Sequence, residues 1–171
     1  MSLQDLTETQ NRHLLIMDIE IVAKPDIDIC GLQTELTKSQ KENYQIIRAN
    51  WQNFNKQLRA KNLKSNKNWE KFGVITKTDE SYYYLSAIKS YNEIPGFKNY
   101  KIEKGRFAKF CHTGILQSIK LTVQDIYKNK IPESDLKIDL KRSLIHFEHY
   151  DNKFHWNSND SIIEIFVPLL D

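Results

Sequence analysis

The sequence predicts an α+β fold in which two β-α-β-β units, related by a pseudo-two-fold axis, share an antiparallel sheet, two helices and a central cleft. Three observations predict it. Several short runs alternate apolar with polar residues, the period of a half-buried strand. Two longer runs step their apolar residues by three and four, the period of an amphipathic helix. The order strand, helix, strand, strand then occurs twice, with Trp51-x-x-Phe54 in the first helical run placed as Val123-x-x-Ile126 is in the second.

The first strand alternates Met17, Ile19 and Ile21 with Asp18 and Glu20 until Lys24-Pro25, where proline removes a ladder donor. Ile27, Ile29 and Gly31 then resume the alternation against Asp26 and Asp28, so the spacing predicts one long strand bent at the proline. Ser39 and Glu42 form a capping box ahead of Tyr44, Ile47, Trp51, Phe54 and Leu58, which predicts a helix. A Lys- and Asn-rich stretch around residues 61–68 ends it. Phe72 and Val74, then Tyr82, Tyr84, Ser86 and Ile88, return to period two about Thr78-Asp79-Glu80-Ser81 and predict a hairpin. Pro95-Gly96 marks the turn between the halves.

The second round opens with Phe107 and Lys109 alternating against Ala108 and Phe110 in a strand from Gly105 to Cys111, and His112-Thr113-Gly114 stands at its junction with a helix. That helix carries Leu116, Ile119, Val123 and Ile126 at steps of three and four, and Pro132 closes it. Strands from Leu144 to Tyr150 and from Ile162 to Val167, stopped by Pro168, form the second hairpin.

A chain of 171 residues with 40% hydrophobic content suits one core, so a single domain over residues 13–171 is expected, with halves of about 13–93 and 97–171 after a flexible segment 1–12. The charge is near balance, 25 basic against 22 acidic residues, and argues against a dedicated nucleic-acid binder. Cys30 and Cys111 lie far apart outside any CxxC spacing; reduced thiols with buried, structural roles are expected of both. Neither a secretory h-region nor an apolar run of membrane-spanning length is visible, so a soluble cytoplasmic protein without membrane contact is expected.

GRFAKFCHTG (Gly105 to Gly114), the helix ending in KIPES (Lys130 to Ser134), FEHYD (Phe147 to Asp151) and IIEIFVPL (Ile162 to Leu169) together resemble the GyrI-like, AraC-type effector-binding family. That family includes the C-terminal drug-binding domains of Rob- and BmrR-type transcription regulators. The resemblance extends over the whole chain, with DIEIVAKPDIDICGL like the family's opening strand and FGVITKTDESYYYLSAI like its first hairpin. Phe107 stands where a tyrosine is common, and Ile131 precedes Pro132 where the family often has Trp-Leu. The resemblance implies a duplicated β-α-β-β fold around a pocket floored by a carboxylate, and the carboxylate that matches is Glu148. The regulators carry a helix-turn-helix module ahead of this domain; the sequence leaves no room for one, so a stand-alone domain is expected.

On a strand Glu148 and Tyr150 share one face while Phe147 and His149 share the other. A glutamate there faces solvent in the ordinary case; the resemblance places it in the pocket. Trp51, Phe54, Phe72, Tyr82, Tyr84, Phe110, Tyr127 and Trp156 are the aromatics expected near that carboxylate. Core packing accounts for most of them, and the rest line the cleft. A carboxylate among aromatic faces receives an organic cation, each ring adding about 0.5 to 2 kcal/mol. His146, His149 and His155 invite a metal, but residues three apart on a strand point to opposite faces and no third ligand sits at zinc spacing, so no metal is expected. The basic cluster Lys56, Arg59, Lys61, Lys64, Lys67 and Lys71, with Glu70 the one acid beside it, reads as a solvated face, or else as a patch for nucleic acid or an acidic protein. Five glycines form no phosphate loop, and no G-x-S-x-G elbow is present.

The expected function is therefore binding of a small hydrophobic, cationic or flat aromatic molecule of the multidrug type, as a sensor in bacterial transcription regulation. It needs no cofactor and makes no direct sequence-specific contact with DNA. A protein partner from a transcription or topoisomerase system is expected to receive the signal. The alternative is a hydrolase on the same fold, with Glu148 activating water.

Overall fold

Where the chain breaks its alternation decides how the sheet is assembled. The computed structural model describes residues 19–63 and 67–171; segment 1–12 and the expected strand residues Met17 and Asp18 lie outside them. In order, the elements are β1 (Glu20–Lys24), β2 (Ile27–Leu36), α1 (Gln40–Ala60), β3 (Lys71–Lys77), β4 (Tyr82–Lys89), β5 (Lys98–Ile102) and β6 (Gly105–Thr113). A 3₁₀ turn (Leu116–Ser118), α2 (Ile119–Asp125), a π turn (Ile126–Lys130), β7 (Leu144–Tyr150) and β8 (Ile162–Pro168) complete the chain. The strands form one antiparallel sheet in the order β1-β6-β8-β7-β3-β4-β2-β5. Exchanging β1 with β5, β2 with β6, β3 with β7 and β4 with β8 returns that order reversed, which is the pseudo-two-fold duplication the sequence predicts.

The long bent strand is two strands, split at Pro25, and it runs beside an equally split partner, β5 with β6. Lys24 faces Gly105 and Ile27 faces Ile102, so the register is continuous across the break. The groups freed at the break are satisfied locally. Asp26 Oδ1 accepts from the Lys104 amide at 2.7 Å. The Arg142 guanidinium, held by Asp139, donates to the carbonyls of Glu103 at 3.1 Å and Lys104 at 3.0 Å.

One face of the sheet closes on a core of Phe72, Val74, Leu85, Phe107, Phe147 and Phe166, in which Phe147 and Phe166 stack with centroids 4.6 Å apart. The other face carries the helices. Trp51, Phe54 and Leu58 of α1 pack on Tyr84, Tyr150 and Ile163, while Ile126 and Ile131 pack on Phe110, Ile165 and Val167. A shift in the β3–β7 register between Ile75 and Thr76 leaves Ile145 as an extra residue; Leu144 thereby turns into the first core while His146 and Glu148 stay under the helices. Ser39 caps α1 by accepting from the Glu42 amide at 3.3 Å; Glu42 itself bonds the Thr37 hydroxyl, so the reciprocal half of the box is routed through Thr37. Cys30 is buried as expected, but Cys111 is exposed: it shares the strand face of Lys109 and Thr113, opposite the buried Phe110 and His112. Among the described residues no helix is long and apolar enough to cross a membrane.

Candidate functional site

The site is built where β3, β4 and β7 lie side by side beneath α1. Gly73 faces Glu148 across the β3–β7 pair, and it has no side chain to spare. A Cβ at that position would overlap both the Tyr84 hydroxyl and Glu148 Oε2, so the missing side chain leaves the room in which those two meet. Tyr84 donates to Glu148 Oε2 at 2.8 Å and Tyr150 donates to the same oxygen at 2.6 Å. Trp51 on α1 donates from its indole N–H to the Tyr84 hydroxyl at 2.9 Å, which fixes that hydroxyl's proton toward the carboxylate. Asn50, the neighbouring helix residue, donates to Leu32 O and to the Ser86 hydroxyl, both at 2.9 Å, and sets the height of α1 above the sheet.

Glu148 is 7% exposed, and among the described residues no cation stands against it. Burial raises its pKa, and the hydroxyls of Tyr150 and Tyr84 pull in the other direction. Both tyrosines are raised well above the usual phenol value, first by burial and then by the carboxylate, so they remain donors. Oε1 receives no hydrogen bond from the described residues and is the open side of the carboxylate.

A cavity of about 530 Å³ lies over this oxygen pair between α1 and α2. Its wall is mainly apolar and aromatic: Leu36, Tyr44, Ile47, Trp51, Ile75, Leu116, Ile119, Val123 and Trp156. Arg48 and Lys120, both exposed, stand at its mouth. His146, two residues before Glu148 on β7, lines the same cavity; its Nδ1 meets the Tyr127 hydroxyl at 2.8 Å and its Nε2 is buried without a partner. Burial pushes His146 down to about 4, which keeps the ring neutral at physiological pH. On the far side, His112 holds the entry to α2. Its Nε2 donates to Ile115 O at 3.1 Å, a group that can only accept, and its Nδ1 meets Thr122 Oγ1 at 2.7 Å.

Of the residues expected at the site, Glu148, Tyr150, Tyr84, Trp51 and Trp156 meet at this cavity, and Tyr127 stands behind it through His146. Tyr127 and four others do not line it. Phe72 neighbours Gly73 and so points to the opposite face, against Phe147. Phe110 lies beneath the π turn against Ile126, and Phe54 is spent on the core under α1 beside Phe97. Tyr82, at the start of β4, is 53% exposed. His146 and His149 do lie on opposite faces; His149 bridges Glu70 and Glu164 at 3.0 Å each. Sequence reasoning missed Gly73 and His146. The parity that pairs Tyr150 with Glu148 also selects His146, so that signal was present.

A duplicated antiparallel sheet with two helices on one face is consistent with the GyrI-like fold. Residues 20–169 match the Cass2 family profile, described as integron-associated effector binding protein, and the chain belongs to that family. No curated protein matches. Among solved structures the fold is similar to SAV2435 bound to tetraphenylphosphonium, with TM-score 0.72 and 17% identity over 90% of this chain and 94% of that one. It is also similar to an integron cassette protein from Vibrio cholerae, with TM-score 0.64 and 14% identity over 90% and 96%. The C-terminal domain of EcmrR, a protein also solved in complex with DNA, gives TM-score 0.56 and 13% identity over 90% and 97%.

Proposed function

We propose that the chain is a cytoplasmic effector-binding domain that takes a lipophilic organic cation into the cavity over Glu148 and passes its occupancy to a protein partner in transcription control. One observation carries this reading: a buried carboxylate, bonded on one oxygen by two tyrosines, with no cation of the protein opposite it. An ion in that setting is left partly uncompensated, and a cationic ligand supplies the missing counter-charge while its apolar body replaces water along Trp51, Tyr150 and Trp156. The tetraphenylphosphonium carried by one similar fold is a ligand of that class. In this reading the binding residues are Glu148, Tyr84, Tyr150, Trp51 and Trp156, residues 13–171 act as one domain, and the chain reads no DNA sequence itself.

Glu148→Gln keeps the shape and removes the charge. It is expected to weaken tetraphenylphosphonium binding by about 2 to 5 kcal/mol, the range for losing one partner of a buried charge pair, while a neutral flat aromatic of similar size loses much less. Paired calorimetric titrations measure both. Equal losses for the two ligands would remove Glu148 as the charge sensor. The raised pKa of Glu148 and its open Oε1 also suit a general base; an ester that the wild type hydrolyses and Glu148→Gln binds but does not turn over would put a hydrolase in place of the sensor.

A further inference from the structure

A second cavity, of about 400 Å³, adjoins the first and shares Trp51, Leu116, Tyr150 and Trp156 with it as a common wall. Its remaining lining differs in charge. Trp69 and Phe154 supply aromatic faces, and Arg59 and Lys71 bring two positive charges into the same space.

These two cations, Lys71 half-buried and Arg59 exposed, lack the carboxylate partners that Lys109, Lys153 and Arg142 have. Lys109 pairs with Glu20 at 2.9 Å and Glu164 at 3.3 Å, Lys153 with Asp151 and Glu164, and Arg142 with Asp139 at 3.1 Å. Lys71, half-buried, rests its ammonium on the neutral Asn55 Oδ1 at 2.7 Å and lies 5.6 Å from the Trp69 ring. Among the described residues no carboxylate forms an ion pair with Lys71 or with Arg59. Glu70, the acid beside Lys71 in sequence, is turned away to His149. Burial and the like charge of Arg59 both lower the Lys71 pKa, the mark of a cation set beside another and short of an anion.

We infer that this second cavity is a separate binding site for the anionic group of a flat aromatic molecule, an aryl carboxylate or sulfonate. Lys71 and Arg59 hold the anion, and the rings of Trp69, Phe154 and Trp156 hold its apolar body. The inference does not depend on what Glu148 binds. If both sites are occupied by one molecule across the shared Trp51 and Tyr150 wall, that molecule is a zwitterion with its charges on opposite flanks.

The test uses the full chain with two fluorescent probes of one skeleton, anilinonaphthalenesulfonate and the neutral phenylnaphthylamine, which differ by the sulfonate. Lys71→Gln and Arg59→Gln are each expected to weaken the sulfonate about five- to tenfold and to leave the neutral probe within about twofold, as befits a charge-assisted contact that solvent partly screens. Lys71→Arg should restore the sulfonate, and added salt should weaken it alone. Glu148→Gln should leave sulfonate affinity level or higher. The two basic variants, in turn, should leave tetraphenylphosphonium binding intact, which separates failure here from failure at the Glu148 site. Sulfonate binding indifferent to both basic residues, equal losses for the two probes, or a loss on Glu148→Gln as large as on Lys71→Gln would each overturn the assignment. Arg59 is exposed on α1, so its variant keeps the test decisive if Lys71→Gln fails to fold.

Discussion

Two titrating groups on one strand pull stability in opposite directions with pH. Burial raises Glu148 above the ordinary 4.5, so the folded state holds that proton more tightly than the unfolded chain. Its contribution is fully present below 4.5 and is lost as pH climbs through the raised folded value. Glu148→Gln is therefore expected to raise the thermal midpoint at about pH 7.5 and leave it nearly unchanged at about pH 4. His146 runs the other way. Its pKa falls from 6.5 to about 4, so its contribution is present above 6.5 and is lost as pH drops toward 4. That window corresponds to at most about 3 kcal/mol, and His146→Gln, which cannot titrate but still meets Tyr127, should flatten the acid-side loss in a calorimetric pH series. At this scale the pairing of Tyr150 with Glu148 was legible, because strand parity puts both on one face whatever the register, while the expectation that this face is the pocket's came from the family resemblance. The choice between Phe72 and Gly73 was not. It depends on which residue of β3 lies opposite Glu148, and a glycine contributes no periodic signal of its own.

The helix α1 owes its place to Asn50 as much as to its apolar stripe. The two bonds from Asn50 Nδ2 to Leu32 O and Ser86 Oγ tie the helix to β2 and β4 directly beside Trp51. Asn50→Ala should cost about 1 to 3 kcal/mol in urea unfolding with the slope unchanged, since it strips a partner from a fully buried serine. The cap and the three-and-four spacing made α1 readable end to end. The second helix was readable only in its apolar positions. The amide of Ile131 bonds Ile126 O at 2.9 Å, five residues back, and this wider turn brings both isoleucines onto the same core, which an α-helical path to Pro132 does not. β5 escaped notice for a simpler reason. Only Tyr100 and Ile102 alternate in it, too short a run to stand out until β2 is seen beside it.

At the scale of the molecule, each half needs the other. β1 of the first half pairs with β6 of the second, β5 of the second with β2 of the first, and β3 with β7 across the centre. Residues 13–93 and 97–171 expressed separately are expected to lack cooperative thermal transitions, and mixing them should restore one together with tetraphenylphosphonium binding; a half that folds alone would refute this interdependence. The duplicated order was visible because each repeat carries its own helix and hairpin, whereas the crossed pairing of β1 and β5 is a long-range contact that leaves no local trace. That crossed pairing also determines how the sheet ends. Its outermost strands, β1 and β5, are five residues each, the shortest of the eight, and both carry charge: Glu20 and Lys24 on one, Lys98 and Lys101 on the other. Short, charged borders make poor templates for a strand from another molecule. Among the described residues, a sheet whose margins are short and charged is thereby protected against growing into fibres, and the break at Pro25 that divides the long strand is part of that protection.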